Sequence, residues 1–398
     1  MIYIIIGNGV AGTTAAETIR KHDSQGTIKI FSDEAHPFYS RIRLMEYLAG
    51  EVDLPKLKIH SSDWYDQHNI QLFLNSRIVD IDAVKKEIVI ASGEKQKYDK
   101  LLLAEGSYSF VPPIKGAEKK GVFTLRNIRD AEEIKRFIDG KTKALLIGGG
   151  ILGLEVGNSL TKTGLKISVA EFFPRLLPRQ TDPVSSALLQ TRLEQMGLDF
   201  YLGVASKEII GENQVKGLVL EDGRKIDTDL IIISAGVRPN LELAQKLNLK
   251  TGKGIPVSDY METEIPDIYA AGDSIEHRGM VYGIWPASEK QGEIAGMNMA
   301  GNKAAYAGTT FSNLLKVAGI DLLAAGDIDP DGKLESFVDQ DKKNGTYRKL
   351  VIKENMIVGC LLFGTLKGRK DIIKAMQEKK DISAVKDRLA RFDLEALA

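Results

Sequence analysis

Cysteine is almost absent from the sequence: the 398 residues contain one, Cys360. A single thiol excludes an internal disulfide and any two-cysteine redox centre, and such sparse use is typical of the reducing cytoplasm. An excess charge of either sign is also lacking, since 54 Lys and Arg residues balance 54 Asp and Glu residues. This balance argues against a nucleic-acid-binding protein. We therefore expect a cytoplasmic protein that binds no nucleic acid.

Long apolar runs are missing as well, and none approaches the ~18 residues needed to cross a bilayer. The apolar start of the chain is broken by glycines and follows no cationic segment, so we expect neither a signal peptide nor a membrane contact. Histidine is scarce, and the histidines lack the spacing of metal ligands. We predict that the protein holds no metal. The histidines are His22, His36, His60, His68 and His277.

The length predicts two or three domains, because 398 residues exceed the usual size of one hydrophobic core. The chain opens with a uniformly apolar strand at residues 2–6, followed by a glycine-rich turn and a helix. A second apolar strand then ends in Asp33 and Glu34. The order is strand, glycine turn, helix, strand, acid.

The same order returns later in the chain, which indicates an internal duplication. A strand at residues 144–147 leads into a second glycine turn and a helix, and the next strand ends in Glu171. Each copy closes on another buried strand followed by a glycine, Gly106 in the first and Gly236 in the second. Each copy also has a predicted antiparallel flap before that last strand, for example at residues 77–90.

Both turns carry the spacing G-x-G-x-x-G in the context that makes it informative, between a strand and a helix. The first glycine permits the tight turn, the second lets backbone approach a pyrophosphate, and the third lets helix and strand pack closely. The helix N-terminus then offers free N–H groups to the phosphates. We predict two dinucleotide sites, with Gly7, Gly9, Val10, Ala11 and Gly12 in one and Gly148, Gly150, Ile151, Leu152 and Gly153 in the other.

The acids that follow the two copies bear on the choice of dinucleotide. Asp33 or Glu34, and Glu171 in the second copy, can accept hydrogen bonds from a ribose diol. Glu171 would repel a 2′-phosphate, which favours NADH over NADPH. Arg175 and Arg179 lie near enough in sequence to keep NADPH open as the less favoured alternative.

With these motifs the chain resembles the FAD-dependent pyridine-nucleotide oxidoreductases that carry two dinucleotide-binding domains, and within them the NADH:rubredoxin reductases. The resemblance extends over essentially the full length. Beyond the two glycine turns, it rests on the segments 39–44, 62–65, 236–240, 269–273, 290–293 and 315–320.

The resemblance implies an α/β fold with two doubly wound, Rossmann-like nucleotide-binding domains and a small α+β C-terminal domain. Residues 1–112 and 239–306 would form a discontinuous FAD-binding domain, residues 113–238 the NAD(P)H-binding domain, and residues 307–398 the C-terminal domain. The implied cofactors are FAD and NADH.

The resemblance also implies roles for particular residues. Arg41 would neutralise the pyrophosphate of FAD, and Gly272 and Asp273 would approach its ribityl and pyrophosphate region. Further cofactor contacts are implied for Ala104, Gly106 and Ser107 near the adenosine half, for Lys290 near the flavin ring, for Glu155 beside nicotinamide and flavin, and for Gly236. Glu105 stands where the family more often has Thr or Ser. No side chain is expected to act as a catalytic acid or base, because hydride transfer belongs to the cofactors.

The missing thiol limits the electron acceptor. Relatives that reduce disulfides or peroxides carry cysteine beside the flavin, whereas this chain has residues 38–41 there without one. Electrons must then leave directly from the flavin, which suits a small one-electron iron protein such as rubredoxin. An NADH oxidase, a quinone reductase, or a flavoprotein subunit of a larger electron-transfer complex remain alternatives, in a monomer or a homodimer.

Overall fold

A computed structural model describes residues 1–309, 312–317 and 319–397, so Ala318 of the segment at 315–320 lies outside the described residues. The chain forms two compact units. The first unit comprises Met1–Leu44, Val52–Tyr108 and Val237–Thr309. The second unit comprises Met45–Glu51, Ser109–Gly236 and the described part of Thr310–Ala398.

Strands alternate with helices through most of the chain. The strands are β1 (Ile2–Ile6), β2 (Thr27–Phe31), β3 (Ile70–Phe73), β4 (Ile78–Asp82), β5 (Glu87–Ile90), β6 (Lys95–Lys97), β7 (Lys100–Leu103), β8 (Ser107–Ser109), β9 (Val122–Phe123), β10 (Lys143–Ile147), β11 (Lys166–Glu171), β12 (Leu198–Leu202), β13 (Ser206–Ile210), β14 (Gly217–Leu220), β15 (Lys225–Asp227), β16 (Leu230–Ile233), β17 (Val237–Pro239), β18 (Ile255–Val257), β19 (Ile268–Ala270), β20 (Ile275–His277), β21 (Ser312–Val317), β22 (Ile320–Gly326), β23 (Glu335–Asp341), β24 (Thr346–Lys353) and β25 (Met356–Phe363). The helices are α1 (Val10–His22), α2 (Leu44–Leu48), α3 (Leu54–Leu57), α4 (Ser62–Gln67), α5 (Ile128–Phe137), α6 (Ile151–Thr161), α7 (Pro183–Gln195), α8 (Glu242–Lys246), α9 (Trp285–Met299), α10 (Arg369–Gln377) and α11 (Lys386–Leu389). Short 3₁₀ turns lie at Arg41–Arg43, Ser383–Val385 and Leu394–Leu397.

The first unit is built on a parallel sheet with strand order β19-β7-β1-β2-β3. Strand β1 is apolar throughout because it is central and covered on both faces. Helix α1 packs closely on α9: a Cβ on Gly292 would lie 2.3 Å from the carbonyl oxygen of Ala11. The predicted flap is the antiparallel sheet β4-β5-β6.

The second unit repeats this arrangement with the order β12-β11-β10-β16-β9. Strand β10 pairs in parallel with β11 and β16, as β1 pairs with β2 and β7. A second antiparallel flap, β13-β14-β15, precedes β16. The duplicated, doubly wound fold is therefore confirmed. Among the described residues, no helix combines the length and apolar character needed to span a membrane.

The C-terminal part of the second unit is an antiparallel sheet, β21-β22-β25-β24-β23, with α10 against it. Cys360 is buried there beside Leu350, Leu362 and Ile372, as a strand residue of the core. This confirms the expected α+β character of the C-terminal segment. The sheet shares a core with α6 and α7 of the same unit, and the buried hydroxyl of Tyr347 donates to Asp182 Oδ2 (2.6 Å).

Candidate dinucleotide-binding sites

Two positions of the first glycine turn are fixed by close backbone approach. Gly7 has φ +113°, and a Cβ there would lie 2.1 Å from the carbonyl oxygen of Ala104. A Cβ on Gly12 would lie 2.0 Å from the carbonyl oxygen of Gly7. Both distances are far below contact, so the fold itself requires glycine at these positions.

Gly9, between them, faces open space. A Cβ there would meet no protein atom within 4 Å, and Gly9 caps α1 with no side-chain hydrogen bond. The protein therefore leaves open space beside Gly9, the residue that precedes the first turn of α1. A helix N-terminus beside such an opening fits the diphosphate of a dinucleotide.

The second glycine turn repeats this geometry. Gly148 has φ +115°, and its Cβ would lie 2.3 Å from the carbonyl oxygen of Ser234. The Cβ of Gly153 would lie 2.2 Å from the carbonyl oxygen of Gly148, whereas Gly150 faces open space and caps α6. The second unit therefore offers a second opening of the same kind.

The hydrogen bonding of Asn8, in the first turn, was not predicted from the sequence. Asn8 Oδ1 accepts from the hydroxyl of Tyr65 (2.9 Å), which itself accepts from the backbone N–H of Phe38 (3.1 Å). These two hydrogen bonds fix the orientation of the Asn8 amide. Within the described part of the chain, the buried Nδ2 of Asn8 has no acceptor. An unused donor in the turn is suited to an anionic ligand. The sequence signal was the segment at 62–65, which carried the resemblance but no assigned role.

Glu34 and Arg41, predicted to contact different parts of a cofactor, are brought together. They form an ion pair, and the hydroxyl of Tyr39 donates to Glu34 Oε2 (2.5 Å). Asp33 lies beside them, after β2. Two acidic groups and one basic group therefore lie together where the chain leaves β2 in the first unit.

Asp273 is held by two serines. The hydroxyl of Ser107 donates to its Oδ2 (2.9 Å), and the hydroxyl of Ser288 lies 3.4 Å from its Oδ1. The buried side chain of Gln291, 1% exposed, accepts from the N–H of Gly272 (2.9 Å). Ser288 was missed by the sequence reasoning, and Gln291 was part of the resemblance without a role of its own.

Glu105 follows the carboxyl end of β7, and its surroundings disfavour the ionised form of its carboxyl. Burial, together with the charges of Glu242 and Asp33, raises its pKa to about 8, against the opposing effect of Arg77. Its Oε2 is buried and has no hydrogen-bond partner among the described residues. Its backbone oxygen accepts from Asn240 Nδ2 (2.8 Å).

Glu171 in the second unit is 7% exposed and binds backbone. Its Oε2 accepts from the N–H of Gly149 (2.6 Å) and its Oε1 from that of Phe173 (2.8 Å). The acid therefore shapes the glycine turn, with lone pairs left over on each oxygen. The guanidinium of Arg175 donates to the carbonyl oxygen of Pro178 (3.0 Å).

The other predicted residues fall into the same two groups. Those of the first unit follow parallel strands or lie in α1 and α9: Val10, Ala11, Ala104, Gly106 and Lys290, the last paired with Glu293 (2.7 Å). Those of the second unit lie in α6 or after β16: Ile151, Leu152, Glu155 and Gly236. The described residues contain no group of three or more His, Cys, Asp or Glu that could hold a metal ion.

Two doubly wound sheets, each with an open glycine turn, give the chain two candidate dinucleotide-binding sites. The pyridine nucleotide-disulphide oxidoreductase family matches residues 1–292, and the C-terminal domain of rubredoxin NAD+ reductase matches residues 312–380. The chain belongs to the pyridine nucleotide-disulphide oxidoreductase family, and the resemblance to its rubredoxin-reductase branch is confirmed.

Three relatives illustrate the range of the family. The nitrite reductase [NAD(P)H] of Bacillus subtilis is 38% identical to this chain over 96% of its length. The assimilatory nitrate reductase electron transfer subunit of the same organism is 35% identical over 97% of this chain. The chain spans only 48% and 50% of those two proteins. The NADH-rubredoxin oxidoreductase of Clostridium acetobutylicum is 31% identical over 96% of both chains. Its crystal structure aligns with a TM-score of 0.85 over 98% of each chain.

Proposed function

We propose that the protein oxidises NADH with the help of FAD and reduces a small one-electron iron protein such as rubredoxin. The observation that carries this proposal is the pair of glycine turns, each open at its middle glycine and closed by backbone at the other two. Two openings in one chain match two dinucleotides. The overall reaction balances as one NADH and two oxidised iron carriers giving NAD⁺, one proton and two reduced carriers.

The FAD-binding domain of this proposal comprises residues 1–112 and 239–306. When bound, FAD supplies the capacity to accept a hydride and to release its two electrons singly. The chain's own part would be to hold it: backbone N–H groups at the start of α1 would bind the diphosphate, and Arg41 would add positive charge. The Ser107 and Ser288 hydroxyls fix Asp273, which would accept hydrogen bonds from FAD hydroxyls. The residues proposed to hold FAD are Gly7, Gly9, Val10, Ala11, Gly12, Asp33, Glu34, Arg41, Ala104, Gly106, Ser107, Gly272, Asp273 and Lys290.

The NADH-binding domain of the proposal comprises residues 113–238, with residues 307–398 as a C-terminal domain. Its proposed contacts are Gly148, Gly150, Ile151, Leu152, Gly153, Glu155, Glu171 and Gly236. NADH is favoured over NADPH because Glu171 is a buried acid at the end of β11, where a 2′-phosphate would meet negative charge. The hydrogen bond of Arg175 to Pro178 supports the same choice, since it directs this guanidinium to backbone.

Direct release of electrons is supported by the state of the single cysteine. Cys360 is fully buried in the C-terminal sheet, and burial raises the pKa of its thiol to about 12. A thiol in that state is neither a nucleophile nor a redox partner near neutral pH. This chain therefore has no reactive cysteine with which to reduce a disulfide, the reaction that the family's name describes.

The test uses the purified full chain. A yellow protein with one FAD per chain should bleach on anaerobic mixing with NADH, and rubredoxin should then be reduced much faster than oxygen. NADPH should give a lower kcat/KM than NADH. Equal NADH turnover with and without rubredoxins and ferredoxins would contradict the proposal and favour an oxidase or quinone reductase.

A second candidate is the electron-transfer part of a larger nitrite or nitrate reductase. It is favoured by one observation: the chain spans about half of the two Bacillus subtilis relatives. This candidate predicts co-purification with a nitrite- or nitrate-reducing chain and NADH-dependent reduction of nitrite or nitrate only in that complex. Rubredoxin turnover by the isolated chain at a rate well above oxygen turnover would favour the first candidate.

A further inference from the structure

We propose that Glu105 is a further cofactor-binding residue, whose carboxyl hydrogen-bonds to the dinucleotide held on the first glycine turn. The inference rests on the proposed function in one respect, namely that the first unit binds FAD.

The position of Glu105 is fixed beside the turn. A Cβ on Gly7 would lie 2.1 Å from the carbonyl oxygen of Ala104 and 3.2 Å from the nitrogen of Glu105. Asn240 holds the same stretch of backbone, because its Nδ2 donates to the Glu105 oxygen (2.8 Å) and its N–H to the Gly106 oxygen (2.9 Å). Glu105 therefore stands at the carboxyl end of β7, next to β1 and its glycine turn, where ligands of such sheets bind.

The side chain of Glu105 contains a polar atom that lacks a hydrogen-bond partner among the described residues. Its Oε2 is buried, and no described residue offers it a hydrogen bond. Buried polar atoms nearly always have a partner, and the exceptions call for an explanation such as a ligand. A neutral carboxyl is both donor and acceptor, so it can pair with a ribose hydroxyl or with a nitrogen of the base.

The duplication supplies an internal comparison. In the second unit, Ala235 takes the place of Glu105: a Cβ on Gly148 would lie 2.3 Å from the Ser234 oxygen and 3.5 Å from the Ala235 nitrogen. The strand, the turn and the close approach are thus formed equally well with a methyl group. The carboxyl of Glu105 is therefore not needed to build the turn, which supports a role for it in binding the ligand.

Burial and the surrounding charges set the protonation state of the Glu105 carboxyl. Asp33 follows β2, Glu242 lies in α8, and Arg77 precedes β4 with an ion pair to Glu242 (2.7 Å). Burial and the two acids raise the pKa of Glu105 to about 8, although Arg77 lowers it. At neutral pH the group therefore carries its proton and does not repel a diphosphate. Above pH 8 it is an anion beside two acids and an anionic ligand.

The experiment measures the dissociation constant of FAD for the flavin-free protein between pH 6 and 9.5, from the quenching of flavin fluorescence. We expect the wild type to bind FAD about tenfold more weakly above pH 8, the loss of about one hydrogen bond. Glu105→Gln should bind as the wild type does at pH 6 and show no such step. Glu105→Ala, which copies the second unit, should bind about tenfold more weakly at pH 6 and also lack the step.

A second readout needs no cofactor. Because the folded carboxyl has a raised pKa, the folded state holds the proton longer than the unfolded chain, so the free energy of unfolding falls as the pH rises from about 4.5 to about 8. Glu105→Gln should remove that part of the pH dependence from the flavin-free protein. Identical pH profiles for wild type and Glu105→Gln, or FAD binding by Glu105→Ala as tight as by wild type, would overturn the inference while FAD binding itself stands. Failure of the wild type to take up FAD at any pH would overturn the proposed function as well.

Discussion

The two glycine turns agree closely in backbone and differ in side chains. Gly7 and Gly148 have φ +113° and +115°, and the closest protein atoms to their Cβ positions lie at 2.1 and 2.3 Å. Between its first two glycines, however, the first turn has Asn8, which is hydrogen-bonded to Tyr65. The second turn has Gly149 there, which is hydrogen-bonded to Glu171. The carboxyl of Glu105 has only a methyl group as its counterpart in the second unit.

The difference separates two kinds of requirement. What is repeated is what the backbone needs: a tight turn, a close helix and an open middle glycine. What differs lies around the opening, where two different dinucleotides would require different hydrogen bonds. The shared backbone therefore indicates the class of ligand, and under our proposal the side chains that differ select the ligand within that class.

The largest expected effect comes from the first glycine of each turn. Gly7→Ala and Gly148→Ala would each place a Cβ within 2.3 Å of a backbone oxygen at positive φ. We expect a loss of more than ~4 kcal/mol in the free energy of unfolding, or no soluble protein. Urea titration followed by circular dichroism measures this.

The matched controls are Gly93→Ala and Gly223→Ala in the two flaps. These glycines also have positive φ, +90° and +88°, but nothing lies within 4 Å of their Cβ positions. Conformational strain alone should cost about 1 kcal/mol. Equal losses for the control and turn variants would mean that close backbone approach is not what fixes the turns.

Glu171→Ala should have the next largest effect. It removes the acceptor of the buried N–H of Gly149 and of the partly buried N–H of Phe173, so we expect a loss of about 2 kcal/mol in stability. It should also lower the preference for NADH over NADPH, because the acid that would face a 2′-phosphate is gone. Steady-state kcat/KM values with both nucleotides measure the preference, and an unchanged ratio would contradict this assignment.

The middle glycines test the openings without disturbing the fold. Gly9→Ala and Gly150→Ala add a Cβ that meets no protein atom within 4 Å, so stability should change by less than about 1 kcal/mol. Each should weaken its own ligand at least about tenfold, FAD for the first and NADH for the second, since backbone can no longer approach the diphosphate. Isothermal titration of each ligand against each variant distinguishes the two sites.

Tyr65→Phe should have the smallest effect. It removes the hydroxyl between the Phe38 N–H and Asn8, at a cost of about 1 kcal/mol, and should raise the rate of FAD release. Tyr108→Phe is the control, because Tyr108 is 51% exposed and should change neither quantity. Equal FAD release from both variants would mean that Asn8 needs no support from Tyr65.

The sequence predicted the features that depend on local spacing and apolar pattern. The two strand–turn–helix copies and the flaps follow from residues close together in the chain. The pairing of Glu34 with Arg41 could not be predicted, nor could the support of Asp273 by Ser288 or of Asn8 by Tyr65. These contacts join residues up to 57 positions apart, and they depend on strand register and side-chain rotamers.

The central claim is that the first turn holds FAD and the second holds NADH. The most direct measurement is anaerobic stopped-flow mixing of NADH with purified Gly9→Ala, Gly150→Ala and wild-type protein, with flavin content determined beforehand. The account predicts that Gly150→Ala keeps one FAD per chain and is bleached only at higher NADH concentrations, whereas Gly9→Ala is depleted of FAD. Loss of FAD from Gly150→Ala with FAD retained in Gly9→Ala, or colourless wild type that takes up no FAD, would contradict it.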